Sequence, residues 1–234
     1  MTVLSEQHTL QALNVSELRK QFALLDPERT DPPMCYLDTG ATALKPDRVV
    51  ERVRRYYERQ PVNVHRGAFT LADETTADFE AARGAIQSFL NAASEEEIIF
   101  TGGCTDAVNL VAHGLAPQIG AGDEIVATHL EHHANLLPWM RLCEESGARL
   151  RIVPIDDSGT LDLAAYESLL GVRTRVVAVS HISNVLGTVN PIDRIAVAAH
   201  AAGAIVVVDA AQSAPHTRVD VQALGVDFLA FSGH

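Results

Sequence analysis

The sequence predicts an α/β fold with a doubly wound, mostly parallel sheet covered by helices on both faces. Short β-branched runs alternate with helix-length segments from residue 97 to the last residue, and the loops between them are short. The run 204–208 is Ala-Ile-Val-Val-Val and stops on Asp209, which is typical of a strand buried on both faces of a parallel sheet. The chain has 234 residues, 47% of them apolar and 21% charged, so it can form a large core.

The first part of the chain predicts helices and one short extended segment. Helices are expected over 15–24, over 46–60, where Pro46 suits a first helical turn, and over 70–90. Between the first two, residues 36–42 read as a strand end followed by small side chains, which let a backbone approach a ligand closely.

The rest of the chain alternates regularly between the two element types. Strands are expected over 97–100, 124–128, 149–154, 175–180, 204–209 and 226–231, and helices over 107–115, 136–146, 161–170 and 191–202. The total of about six or seven strands separated by helices is typical of an open α/β sheet.

Charge and cysteine content exclude several classes of protein. A net charge of −12 argues against nucleic acid or an anionic membrane surface as the main partner. Cys35, Cys104 and Cys143 show no C-x-x-C spacing, so we expect neither a disulfide framework nor a zinc site, and the cytoplasm is the expected compartment. We see no signal peptide and no run of 18 apolar residues that would span a membrane.

A glycine-rich turn, 101–106, opens the helix 107–115. Free N–H groups and the helix dipole at such a terminus form an anion pocket, to which the hydroxyls of Thr101 and Thr105 can add bonds. The turn matches neither the P-loop nor the G-x-G-x-x-G fingerprint, and the alternative is a plain turn with Asp106 as a helix cap.

Polar residues recur where the predicted strands end. In open α/β sheets ligands bind at this edge, so one pocket would explain the pattern, although Asp209 could merely cap the next turn. The residues concerned are Thr105, His132, Asn184, Asp209, Gln212, Ser232 and His234.

The segment 129–133 contains three histidines and a glutamate. Its spacing is not that of H-E-x-x-H on a helix, so we expect no metal site. An imidazole at the end of a strand can instead stack on an aromatic ring or move a proton. A phosphate site at Thr105, a stacking His132 and a carboxylate at Asp209 that keeps a pyridine nitrogen protonated together indicate pyridoxal phosphate.

With these motifs, the chain resembles the class V aminotransferase-like family, and closely the SufS-like (group II) cysteine desulfurases. The resemblance implies the type I fold of pyridoxal-phosphate-dependent transferases. The resembling segments, in the family's order, are 36–38, 44–46, 64–67, 131–135 with 138–139, 181–188, 208–209 with Gln212, and 231–234.

The resemblance implies a role for each candidate residue. His132 would be catalytic as acid and base while stacking on the cofactor; Asp209 would pair with the pyridine nitrogen and Gln212 with the phenolic oxygen. The phosphate would be held by Cys104, Thr105, Ser232 and His234, and the substrate by Asn184, His65, Arg66 and Ala41.

The implied reaction removes sulfur from L-cysteine, giving L-alanine and an enzyme-bound persulfide that passes to an acceptor protein for iron–sulfur cluster assembly. A homodimer is expected. Three alternatives stay open: a selenocysteine lyase, another class V enzyme such as an amino-acid lyase or epimerase, and an inactive fragment or binding module.

The chain departs from the family at several positions. The family often has Ala or Thr where this chain has Cys104, and Ala where this chain has Gly40. The family's Schiff-base lysine would follow His234, neither Lys20 nor Lys45 matches it, and none of the three cysteines matches the persulfide-carrying one.

We therefore expect a truncated sequence. Residues 1–35 would be an N-terminal segment that packs with the missing small domain. Residues 36–234 would be an incomplete large, cofactor-binding domain, and the small domain itself would lie outside this sequence.

Overall fold

The computed structural model describes residues 13–32 and 34–233, and the chain divides into two compact units, with the boundary between Asp78 and Phe79. The first unit contains α1 (Val15–Arg19) and α2 (Asp47–Arg59). Helix α3 (Thr70–Leu90) begins in the first unit and ends in the second.

Two predictions for the first unit need correction. Helix α1 is shorter than the predicted 15–24: it is capped by Asn14, whose side chain accepts from the Glu17 N–H, and it gives way to turns after Arg19. The predicted strand end at residues 36–38 is not a strand. The Asp38 carbonyl instead accepts from the N–H groups of Ala41 and Thr42, which closes a turn at the small residues.

The second unit is built on one five-stranded parallel sheet. Its strands are β1 (Glu124–Thr128), β2 (Arg149–Val153), β3 (Thr174–Ser180), β4 (Ile205–Asp209) and β5 (Phe228–Ala230), in the spatial order β2-β1-β3-β4-β5. The helices are α4 (Cys104–Leu115), α5 (Leu137–Ser146), α6 (Leu163–Leu169), α7 (Ile192–Ala201) and α8 (Val221–Leu224).

Helices cover both faces of this sheet, as the doubly wound prediction requires. Alternate strand residues point to opposite faces. On β4, Val206 and Val208 join a cluster with α6 and α7, whereas Val207 joins a cluster with α4 and α5. Both clusters are buried, which explains why the strands read as continuous apolar runs.

The predicted strand 97–100 is wrong. Residues Glu95–Glu97 form a 3-10 turn capped by Ser94, and residues 98–100 are extended but pair with no strand in the described part of the chain. A groove of about 550 Å³ is lined by 98–101 and by residues of β5, and Ile99 is 71% exposed. The segment has the composition of a strand, but no strand of the described residues lies beside it to form a ladder.

Within the described ranges, no helix combines the length and the apolarity needed to cross a lipid bilayer.

Candidate active site

The carboxyl ends of three neighbouring strands lie at the same level. Ser180 of β3 is in register with Asp209 of β4, which is in register with Ala230 of β5. The ladder continues one residue further, because the N–H of His181 donates to the Asp209 carbonyl at 2.9 Å. Side chains that follow these strands therefore start from one edge, where open α/β sheets bind ligands.

Asp209 lies on the face of the sheet that α4 covers. Its position follows Val207 in the two-residue alternation, and it is only 6% exposed. Its Oδ1 accepts from the Cys104 Sγ at 3.2 Å and from the Ala211 N–H at 2.9 Å. Its Oδ2 accepts no hydrogen bond from residues 79–233, so it can bind a donor that enters the site.

The thiol beside Asp209 is the donor of that contact. Burial raises the pKa of the Cys104 thiol, and the charge of Asp209 raises it further. Cys104 is therefore a protonated hydrogen-bond donor and not a nucleophile at neutral pH.

The N-terminus of α4 meets the residues that follow β5. The Cys104 N–H donates to the Ser232 Oγ at 2.9 Å, and Gly103 precedes it with a φ of +141°. A Cβ on Gly103 would lie 3.3 Å from the same Oγ, a tight contact, and the positive φ itself favours glycine at this position.

The next two backbone donors of α4 are open. The N–H groups of Thr105 and Asp106 have no acceptor among the described residues of the second unit, and such groups bind anions. The Asp106 carboxylate reaches back to the Gly102 N–H at 2.9 Å, so it does not occupy these two donors.

His132 lies in the short loop between β1 and α5, and it is exposed. Its Nδ1 accepts from the Ala134 N–H at 3.1 Å. The neutral imidazole consequently carries its proton on Nε2, which is the nitrogen available to a ligand or to proton transfer.

Sequence reasoning missed Glu131, which precedes His132. Its carboxylate accepts hydrogen bonds from the side chains of Thr128, Asn135 and Ser180 and from the Ser180 N–H. The local signal was a glutamate between Thr128 and Asn135, but Ser180 is 49 residues away and only the sheet brings it near.

The other predicted residues of this unit lie in turns after their strands. Gln212 is half-buried in the turn that follows β4. Asn184 is exposed in the turn 182–189, where Ser183 makes the internal hydrogen bonds. Their roles stay predictions.

Three predicted substrate-binding residues belong to the first unit. Ala41 lies in its exposed turn, and Arg66 is exposed. His65 has a φ of +61°, and its N–H donates to the Thr76 Oγ1 at 3.0 Å. Their contribution to the site stays a prediction. His234, which was predicted to hold the phosphate, lies outside the described residues.

The three histidines of the segment 129–133 are exposed. His132 and His133 have ring centroids 6.1 Å apart. Across residues 13–32 and 34–233, no group of three or more His, Cys, Asp or Glu side chains is arranged to hold a metal ion.

The donors and acceptors of this edge fit pyridoxal phosphate. An enclosed carboxylate with one open oxygen suits a protonated ring nitrogen, and the open N–H groups of Thr105 and Asp106 suit a phosphate. Cys104 connects the carboxylate to the helix terminus, because its thiol donates to Asp209 and its N–H donates to Ser232.

Comparison with known proteins agrees with this geometry. The profile of the family described as aminotransferase class V matches residues 35–234. A probable cysteine desulfurase of Halalkalibacterium halodurans is 49% identical over 224 residues, which cover 95% of this chain and 55% of that protein.

Two solved structures are also similar. The apo structure of a cysteine desulfurase from Thermococcus onnurineus NA1 has a TM-score of 0.86 at 42% identity, covering 93% of this chain and 53% of that one. A C-DES mutant with glycine covalently linked to its PLP cofactor has a TM-score of 0.74 at 26% identity, covering 92% and 55%.

The chain thus spans about half the length of the relatives it matches. These likenesses confirm the predicted type I fold and the predicted cofactor, pyridoxal phosphate. The chain belongs to the class V aminotransferase family.

Proposed function

We propose that this chain is the cofactor-binding part of a cysteine desulfurase, which converts L-cysteine to L-alanine and transfers the sulfur as a persulfide. The observation that carries the proposal is the contact of Asp209 with Cys104, whose N–H is bound to Ser232. This contact links a carboxylate that suits a protonated ring nitrogen to a helix N-terminus that suits a phosphate. The relatives that are named cysteine desulfurase support the proposal that the substrate is L-cysteine.

Pyridoxal phosphate supplies an electron sink when it is bound. Asp209 would hold the proton on the ring nitrogen, because its carboxylate is only 6% exposed and its Oδ2 has no donor among residues 79–233. The N–H groups of Thr105 and Asp106 orient the phosphate, and Gln212 binds the phenolic oxygen.

His132 stacks on the ring and moves a proton at Nε2. The bond from the Ala134 N–H to Nδ1 supports this assignment, since it leaves Nε2 as the protonated nitrogen. Asn184, Ala41, His65 and Arg66 contact the substrate, and an arginine can bind its carboxylate with two hydrogen bonds.

The enzyme is proposed to act as a homodimer in the cytoplasm and to deliver sulfur to an acceptor protein for iron–sulfur cluster assembly. An apolar stripe on α2 supports the dimer: Val50, Val53 and Tyr57 are 55%, 51% and 71% exposed and lie on one helix face. Light scattering of the full-length protein tests it, and a mass of one protomer would contradict it.

A product assay tests the activity. The full-length protein, loaded with pyridoxal phosphate and given L-cysteine and a thiol reductant, should release sulfide and alanine in equal amounts. Asp209→Asn should abolish both products, whereas Asp157→Asn, which changes an exposed aspartate, should leave them at the wild-type level.

Two results would contradict the proposal. One is a wild-type protein that binds no pyridoxal phosphate. The other is a loaded protein that consumes L-selenocysteine but leaves L-cysteine unchanged, which would favour the selenocysteine lyase alternative.

A further inference from the structure

The side chain of Glu131 is the most heavily bonded carboxylate of the candidate site, and the proposed reaction gives it no role. Its Oε1 accepts from the Thr128 Oγ1 at 2.6 Å and from the Ser180 N–H at 2.9 Å. Its Oε2 accepts from the Ser180 Oγ and from the Asn135 Nδ2, each at 2.6 Å. Both oxygens therefore have two donors, which is the full capacity of a carboxylate.

These bonds hold the loop of His132 at both of its ends. Glu131 precedes the histidine, and Asn135 lies three residues after it. Asn135 is fully buried, and it also accepts from the Trp139 Nε1 at 3.3 Å. Between these two residues, the Ala134 N–H donates to the His132 Nδ1 and so orients the imidazole ring.

The same bonds connect the loop to the strand beside Asp209. Ser180 is in register with Asp209, and two of the four donors to Glu131 belong to Ser180. The histidine loop is thus joined to the strand next to β4 by the Glu131 side chain, in addition to the ladder between β1 and β3.

We propose that Glu131 is a positioning residue, which sets the place and the ring tautomer of His132 relative to Asp209 without touching the reactants. The inference rests on the proposed function, because it assumes that His132 acts on the bound substrate.

A glutamine cannot replace this glutamate. On the Oε1 side its NH₂ group would face the Ser180 N–H, and on the Oε2 side it would face the Asn135 NH₂ group. Turning Asn135 over would point that NH₂ group at the Trp139 N–H. Burial raises the pKa of the Glu131 carboxyl, while its hydrogen bonds act in the opposite direction.

The test compares Glu131→Gln with Glu144→Gln in the full-length, cofactor-loaded protein. Glu144 is an exposed glutamate on α5, so it controls for loss of a carboxylate. We expect Glu131→Gln to lower kcat for L-cysteine by ten-fold or more with KM changed by less than two-fold. We expect Glu144→Gln to match the wild type in both.

A second readout does not depend on activity. In protein with ¹⁵N-labelled histidine, the wild-type His132 should show an unprotonated Nδ1 and a protonated Nε2, and Glu131→Gln should show a mixture of tautomers. A residue that only stabilises the fold would lower the melting temperature and leave the tautomer and kcat unchanged, and that result would overturn the proposal.

Two further arms keep the test decisive. If Glu131→Gln does not fold, Ser180→Ala removes one of the four donors; a two- to five-fold lower kcat with a mixed tautomer supports the proposal, and wild-type values overturn it. If the wild type itself releases no sulfide, the proposed function fails, and the tautomer alone decides the role of Glu131.

Discussion

The bond between Cys104 and Asp209 can be tested by replacing the cysteine with alanine and with serine. Alanine removes the sulfur, which is a buried atom and the donor to Oδ1 at 3.2 Å. Serine keeps a donor at the same position. Cys143→Ala is the matched control, because this residue is about as buried, at 7% exposure against 6%, and lies on α5 without a hydrogen bond to Asp209.

The expected magnitudes follow from these contacts. Losing one buried heavy atom costs about 1 kcal/mol of unfolding free energy, and losing a weak donor to a charged acceptor costs about 1 kcal/mol more. Cys104→Ala should therefore destabilise the fold by about 2 kcal/mol, and Cys143→Ala by about 1 kcal/mol. Because Asp209 loses a fixed orientation, Cys104→Ala should also weaken pyridoxal phosphate binding by about five-fold.

Urea denaturation measures the first effect, and titration of the apo protein with the cofactor measures the second. Cys104→Ser should bind the cofactor within about two-fold of the wild type, as should Cys143→Ala. The reasoning would be refuted if Cys104→Ala bound it as tightly as Cys143→Ala does, because the thiol would then only fill space.

Three other predictions concern single side chains of the same unit. Burial raises the pKa of Cys143 from about 9 to about 11, so the stabilisation from its protonated thiol is complete below pH 9 and is lost as the pH rises to 11. Between pH 9 and pH 11, the unfolding free energy of the wild type should fall more steeply than that of Cys143→Ala, by up to about 1.4 kcal/mol per pH unit. Parallel pH profiles of the two proteins would contradict this. Gly103→Ala should cost about 1–3 kcal/mol in urea denaturation, because of its φ of +141° and the nearby Ser232, whereas Gly114→Ala in the same helix, where a Cβ meets nothing within 4 Å, should cost nothing. Tyr166→Phe should lower the melting temperature, with a loss of about 1–2 kcal/mol, because the buried hydroxyl donates at 2.8 Å to a carbonyl of α7; an unchanged melting temperature would show that this bond contributes nothing net.

Much of the fold was readable from local patterns. The predicted strand 124–128 has its exact bounds, and the run that ends on Asp209 differs by one residue at its start. Such agreement is expected where a β-branched run is buried on both faces, because composition and environment then favour the same state. Residues 97–100 show the limit, since this largely apolar run has no neighbouring strand in the part of the chain that the structure describes.

The candidate site was readable in part. The recurrence of polar residues after strands identified the edge, because parallel strands must end together. The partners of these residues were not readable: the contact of Cys104 with Asp209 joins residues 105 positions apart, and that of Cys104 with Ser232 joins residues 128 apart.

The sequence by itself determined the parallel α/β architecture, the family, and the types of side chain at the site, since these depend on periodicity and on motifs within short segments. Only the tertiary structure decided which atoms meet: that the Cys104 thiol donates to Asp209, and that Glu131 rather than another carboxylate holds the His132 loop. The physical reason is sheet register. It places Ser180 beside Asp209 and brings both within reach of distant side chains, and no local pattern encodes those distances.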